Sequence, residues 1–338
     1  MNRKSCRNEK HDCACLSTER IYAMKITVLD RCTITTGDVS LSPLEAFGEV
    51  IYHDVIPHEK IADAIADSDA VIVNKAIITD EIMDKCKNLR FIGVFATGYN
   101  NIDVKAAAAR GITVCNVPGY STNSVAQHTF ALMLHFASRA DDYAASVAKG
   151  DWANAKAFSY LSFPTSELCG KTLGIFGFGT IGKAVARIAL AFGMNVIAAV
   201  RRPQTFEGVT FVSKEALFAR ADYLSLHCPL TDETRHLINR ETLALMKPTA
   251  VIINTARGGV IEEEALTEAL NEGKLRGAAI DVLDQEPMRP HHPYLTAKNC
   301  YITPHVAWAS IEARTRLIDL VASNLDAFQK GSPINKVN

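Results

Sequence analysis

Short, continuously apolar runs recur along this chain, separated by stretches with helical spacing. The runs include Ile26–Leu29, Ala70–Val73, Phe91–Phe95, Thr113–Asn116, Leu173–Phe176, Asn195–Val200, Tyr223–His227, Ala250–Asn254, Gly277–Asp281 and Tyr301–Thr303. Their hydrophobicity does not alternate, which suits parallel strands covered on both faces. Helical patterns lie between them, as at Leu44–Phe47, Ile61–Ala66, Lys105–Ala109 and Glu263–Asn271. The alternation predicts an α/β fold of doubly wound parallel sheets. At 338 residues the chain is long enough for two domains, each with its own core.

Two further stretches concern how the halves join. Ser121 to Lys149 reads as one long helix, capped by Ser121 or Asn123, at the junction. Ser310 to about Gln329 is again helical. Its pattern leaves open whether it continues the second half or folds back onto the first.

A formal net charge of −1 gives no bulk electrostatic case for nucleic acid or an anionic membrane. The nine cysteines are odd in number and scattered, with one close pair at Cys13 and Cys15. A disulfide framework is disfavoured, and a reducing cytoplasm fits better. His11, Cys13 and Cys15 lack a second ligand pair, so no metal site is expected. Residues 1–23 are polar and lack the apolar core of a secretory signal. They read as a disordered tail, or as the product of a start assigned upstream of Met24.

The turn G-F-G-T-I-G, from Gly177 to Gly182, follows the strand pattern Thr172–Phe176 and opens a helical pattern from Thr180 to Phe192. The next strand pattern begins at Asn195. In this context Gly177 permits a tight turn, Gly179 lets backbone approach a pyrophosphate, and Gly182 lets helix and strand pack closely. The helix N-terminus supplies unpaired N–H groups for the phosphates. A packing turn with no ligand is the alternative. The acidic residue that would bond a ribose 2′-hydroxyl is missing: Val200 stands there, followed by Arg201 and Arg202. Two guanidiniums suit a 2′-phosphate, so NADP(H) is favoured over NAD(H).

Reduction of a keto acid also needs an anchor for the carboxylate and an acid for the carbonyl oxygen. Arg257 follows the run Ala250–Asn254, where open α/β sheets bind ligands, and its fork of donors suits a carboxylate. His305 follows Thr303-Pro304, and imidazole is the side chain best matched to proton exchange near neutral pH. An ionised Glu286 beside it favours the imidazolium.

These motifs resemble the D-isomer-specific 2-hydroxyacid dehydrogenases over nearly everything after Met24. The likeness rests on A-T-G-Y-N-N-I-D (96–103), V-P-G-Y-S-T-N-S-V-A-Q (117–127), G-K-T-L-G-I-F-G-F-G-T-I-G-K (170–183), H-C-P-L (227–230), N-T-A-R-G-G (254–259), D-V-L-D-Q-E-P (281–287) and T-P-H-V-A-W (303–308). It implies that Arg257, Glu286 and His305 form the catalytic trio. It implies that Thr97 and Gly98 offer backbone N–H groups to the substrate carboxylate. Cofactor contacts are implied for Thr180, Ile181, Pro229, Thr255, Ala256 and Asp281, the last on the nicotinamide carboxamide.

The implied architecture is a flavodoxin-like substrate domain, 24–120 with 306–338, around a Rossmann domain, 121–305. A homodimer is also implied. Two departures stand out: many members carry Arg in place of Thr180, and many NAD-dependent members carry Asp near Val200. The segments around Tyr99 and Trp308 resemble the glycerate dehydrogenase and hydroxypyruvate reductase branch, with Trp308 walling the pocket or packing between domains. A dinucleotide-sensing corepressor-type binding protein, which reuses the same fold, is the alternative.

Overall fold

The computed structural model describes residues 24–202 and 204–338. The expectations for residues 1–23, Cys13 and Cys15 included, lie outside the described residues.

The first sheet has five parallel strands: β1 (Met24–Val28), β2 (Gly48–Tyr52), β3 (Ala70–Val73), β4 (Phe91–Val94) and β5 (Thr113–Cys115). Their order is β2-β1-β3-β4-β5, the flavodoxin-like arrangement. Helices α1 (Ile61–Ile65), α2 (Asp80–Asp84) and α3 (Val104–Ala109) cover one face. Ile61, Ile65, Met83 and Ala107 pack there on Val71, Val73, Ile92 and Val94. The pattern Leu44–Phe47 forms a 3-10 helix, Ser42–Phe47, with Pro43 in its first turn, where the missing N–H costs no helical hydrogen bond.

The junction differs from the expected single helix. α4 (Thr122–Ser138) ends at Arg139, whose φ of +52° is left-handed, and α5 (Ala140–Ala148) restarts at once. Asp141 and Asp142 open α5, where the helix dipole favours negative charge. Arg139 pairs with Asp142 and His135 with Asp141, so side chains brace both sides of the break.

The second sheet has seven parallel strands: β6 (Thr172–Phe176), β7 (Asn195–Ala199), β8 (Val209–Phe211), β9 (Tyr223–Leu226), β10 (Val251–Asn254), β11 (Gly277–Ile280) and β12 (Cys300–Ile302). Their order, β8-β7-β6-β9-β10-β11-β12, is the Rossmann order with one strand added. α4 and α6 (Thr180–Ala191) cover one face through Phe130, Met133, Val185 and Ala189. α7 (Lys214–Arg220), α8 (Arg240–Ala244) and α9 (Glu263–Asn271) cover the other through Phe218, Leu243 and Leu266.

α10 (Ile311–Gln329) settles the alternative left open by its sequence. It folds back and covers the bare face of the first sheet, with Leu317, Val321 and Leu325 against Ile26, Ile72 and Phe91. Arg314 is tied to Asp38, and the chain then returns to β5, where Val337 N–H donates to the Val114 carbonyl. Strand order reverses between β1 and β3 in the first sheet and between β6 and β9 in the second. Ligand crevices form beyond the carboxyl ends of strands at such points.

Candidate active site

A cavity of about 470 Å³ lies at the carboxyl ends of both sheets. The loops after β3 and β4 contribute Lys75, Thr97 and Gly98. The second sheet contributes Ile181, Pro229, Thr255, Ala256 and Arg257 beyond its strand ends, together with Asp281, Glu286 and His305. Trp308 walls the cavity and also packs on the core of the first sheet, edge-on to Tyr120.

The three glycines of the turn have distinct spatial reasons. Gly177 has φ +93°, and a Cβ there would lie 2.7 Å from the Cys228 nitrogen. A Cβ on Gly182 would overlap the Gly177 carbonyl, so this glycine lets α6 start close against β6. Gly179 faces open space, with nothing within 4 Å of its missing Cβ. It is also the N-cap of α6 and makes no side-chain cap, so the N–H groups of Thr180 and its neighbours stay available. Bare backbone, open space and a helix N-terminus together fit a dinucleotide pyrophosphate. Arg201 and Arg202 follow β7, outside the cavity lining, and both are exposed. Arg201 Nη1 stands 3.3 Å from Glu233 Oε2.

Arg257 spans the cleft. It leaves the end of β10, where Asn254 Nδ2 donates to the Arg257 carbonyl and Nη1 donates to the Ala256 carbonyl. Its guanidinium lies against Gly98, where a Cβ would come within 2.5 Å of Nη2. The turn at 97–98 is held from behind: Thr97 Oγ1 donates to the Val117 carbonyl, and Asn116 Nδ2 to the Thr97 carbonyl. Among the described residues the Thr97 and Gly98 N–H groups have no partner. Two free N–H donors beside a guanidinium make a site for a carboxylate.

His305 Nδ1 lies 2.6 Å from Glu286 Oε2, and Glu286 Oε1 accepts from the Leu283 N–H at 3.0 Å. Burial pushes the Glu286 carboxyl up, but His305, the Leu283 N–H and the Lys75 charge outweigh it, leaving the carboxyl below its usual range. His305 itself has φ +55°. A left-handed residue with a side chain costs about 1–2 kcal/mol, so the fold must impose it. Asp281 does so. Its Oδ1 accepts from Thr303 Oγ1 and the Val306 N–H, and its Oδ2 from the Ala307 N–H. The carboxylate implied by resemblance to be a cofactor contact thus borders the cavity and also fixes the turn that presents His305.

Three features escape the sequence reading. Lys75 projects from a turn whose three successive N–H groups, of Asn74, Lys75 and Ala76, all donate to Asp30. His227 lies under the glycine turn with Nδ1 buried and unpaired among the described residues, and burial pushes its pKa down to about 4. Asp30 is buried at the end of β1 and has no local motif. Each gains meaning only from a partner more than forty residues away or from the folded cleft.

A glycine-turn crevice for a dinucleotide, facing an arginine and a histidine–carboxylate pair, defines a nicotinamide-dependent dehydrogenase. The family model for the NAD-binding domain of D-isomer-specific 2-hydroxyacid dehydrogenases matches residues 130–307. A hydroxypyruvate reductase of Blautia hydrogenotrophica is 42% identical over 321 residues, covering 93% of this chain and all of that one. A glycerate dehydrogenase of Methylorubrum extorquens is 39% identical over 288 residues, covering 85% and 90%. The solved NADPH-dependent glyoxylate/hydroxypyruvate reductase of Sinorhizobium meliloti, in complex with NADP and malonate, superposes with a TM-score of 0.80 at 30% identity, covering 93% and 96%. The chain belongs to the D-isomer-specific 2-hydroxyacid dehydrogenase family.

Proposed function

We propose that this enzyme reduces hydroxypyruvate to D-glycerate, and glyoxylate to glycolate. The observation that carries the reading is the His305–Glu286 pair at 2.6 Å, in one cavity with Arg257 and the bare N–H groups of 97–98. Arg257 and the 97–98 turn hold the substrate carboxylate, which brings the neighbouring carbonyl to His305. A bound nicotinamide supplies the hydride for the carbonyl carbon. His305, with Nδ1 committed to Glu286, delivers the proton from Nε2 to the carbonyl oxygen. Arg257 stabilises the negative charge that builds on that oxygen. In oxidation the neutral imidazole takes the hydroxyl proton. Reductase and dehydrogenase relatives favour the enzyme over the corepressor-type binding protein. Purified protein mixed with NADPH and either keto acid should lose the absorbance of the reduced cofactor. Cofactor binding without turnover on any 2-keto acid would overturn the reading.

The finer expectations rest on separate support. NADP(H) preference draws on Val200 in place of a carboxylate and on Arg201 and Arg202 beside it. Val200→Asp should then shift preference toward NAD(H); a wild type that already prefers NAD(H) would refute it. Domain limits of 24–120 with 306–338, and of 121–305, follow the packing of α10 and α4 on separate sheets. A homodimer is supported by the segment between α5 and β6, where Phe158 and Leu161 are each 91% exposed. Light scattering reads the mass directly. Among the described residues no helix is long and apolar enough to cross a membrane, and the described cysteines are all free, which suits a cytoplasmic enzyme.

A further inference from the structure

The cavity holds one cation that the reaction above does not use. Lys75 lines it from the loop after β3, on the first sheet's side, opposite the second-sheet segment that carries Arg257. Its backbone is unusually fixed. Asp30 accepts from the N–H groups of Asn74, Lys75 and Ala76, Asn74 Nδ2 donates to Thr33 Oγ1, and Asn101 Nδ2 donates to the Ala76 carbonyl at 2.8 Å. Lys75 is exposed to the open cleft, and this platform fixes where its side chain leaves the backbone. Among the described residues its ammonium has no carboxylate within 4 Å and no hydrogen-bond partner. Burial, chiefly, and the nearby Arg257 charge lower its pKa, while Glu286 and Asp30 oppose them. The ammonium therefore senses the same space as the reacting groups.

The other polar positions of a small 2-keto acid are already served. Arg257 and the 97–98 turn serve the carboxylate, and Arg257 and His305 serve the carbonyl. What remains is the substituent on C3. We infer that Lys75 is a specificity-determining residue that donates a hydrogen bond to an oxygen carried on C3 of the substrate. The inference rests on the proposed reduction of hydroxypyruvate and glyoxylate, and it predicts that the two substrates depend on Lys75 differently. Hydroxypyruvate carries a C3 hydroxyl, whereas glyoxylate has no C3. A hydrogen bond from a charged donor, lost from one substrate only, appears as selectivity.

The test compares kcat/KM for hydroxypyruvate, glyoxylate and pyruvate in wild type, Lys75→Met and Lys75→Arg, with NADPH affinity and thermal midpoint measured on each protein. Lys75→Met should lower kcat/KM for hydroxypyruvate about tenfold to a hundredfold. Glyoxylate and pyruvate should lose markedly less, because they share only the general effect of removing a charge near Glu286, and Lys75→Arg, which keeps that charge, should recover part of the hydroxypyruvate loss. Equal loss on all three acids, or no loss on any, with cofactor affinity intact, overturns the inference. Failure of the wild type to reduce any of them overturns the underlying reading instead, and the two failures are thereby distinguished.

Discussion

Among the described residues this protein contains two histidine–glutamate pairs, and one of them faces the cleft. His305 Nδ1 and Glu286 Oε2 are 2.6 Å apart, with side chains 25% and 31% exposed. His292 Nε2 and Glu263 Oε2 are 2.9 Å apart, with side chains 0% and 6% exposed. In the buried ring Nδ1 accepts from the Tyr294 N–H, while Nε2 is shut away beside Glu263 Oε2 without a hydrogen bond among the described residues. Glu263 uses its other oxygen on the Asp284 N–H, two residues before Glu286. The same two side chains thus do different jobs. One pair leaves an imidazole nitrogen for a proton in transit, whereas the other clamps the segment that carries the first. Access, rather than residue type, separates chemistry from scaffolding.

The contrast can be broken at either pair, and the active one should respond most. His305→Ala should lower kcat by about 10²–10⁴-fold while NADPH affinity and thermal midpoint stay close to wild type; loss of cofactor affinity instead would remove the proton role. Glu263→Ala should act in the opposite currency. It strips the Asp284 N–H of its acceptor, at a cost of about 1–3 kcal/mol, read as a lower denaturation midpoint. An unchanged midpoint would show that the buried pair holds nothing.

Arg257→Lys should raise KM for the keto acid at least about tenfold, because an ammonium cannot fork across a carboxylate. Unchanged kinetics would take Arg257 out of the site.

The smallest expected effect is on pH. The Glu286 carboxyl lies below its usual range in the fold. Its contribution is present above the ordinary carboxylate pKa of about 4.3 and is lost only as pH falls through the lower, folded value. Glu286→Gln removes the group that titrates there, so the acid-side loss of activity through that carboxyl should vanish from the pH profile of kcat. An acid limb identical to that of wild type contradicts the pairing.

The same division by access explains what the amino-acid sequence discloses. Strands β3, β4, β9 and β10 are buried along their whole length, so each is a plain apolar run. β2 and β8 sit at sheet edges and are only partly buried, and their sequences offer no continuous run to notice. The glycine turn is legible because its three glycines answer local needs within six residues. Arg139 breaks the long helix without Gly or Pro, so nothing in the spacing marks it. Asp281 and Lys75 show the remaining limit. Asp281 works on residues 22 to 26 positions ahead, and Lys75 depends on a carboxylate 45 positions behind. Those roles exist only once both sheets have brought their loops together.

The return of α10 to the first sheet also has a consequence for biosynthesis. The second sheet is built from one unbroken stretch of chain, so its core can close as soon as β12 has emerged. The first sheet's core needs Leu317, Val321 and Leu325, made after the whole of the second sheet. During synthesis Ile26, Ile72 and Phe91 must wait uncovered through more than two hundred residues, and long-range closure of that kind is slow. The half that begins first on the ribosome is thus the half that finishes last. Pulse proteolysis of stalled nascent chains would show it, with residues 24–115 staying cleavable until α10 is released.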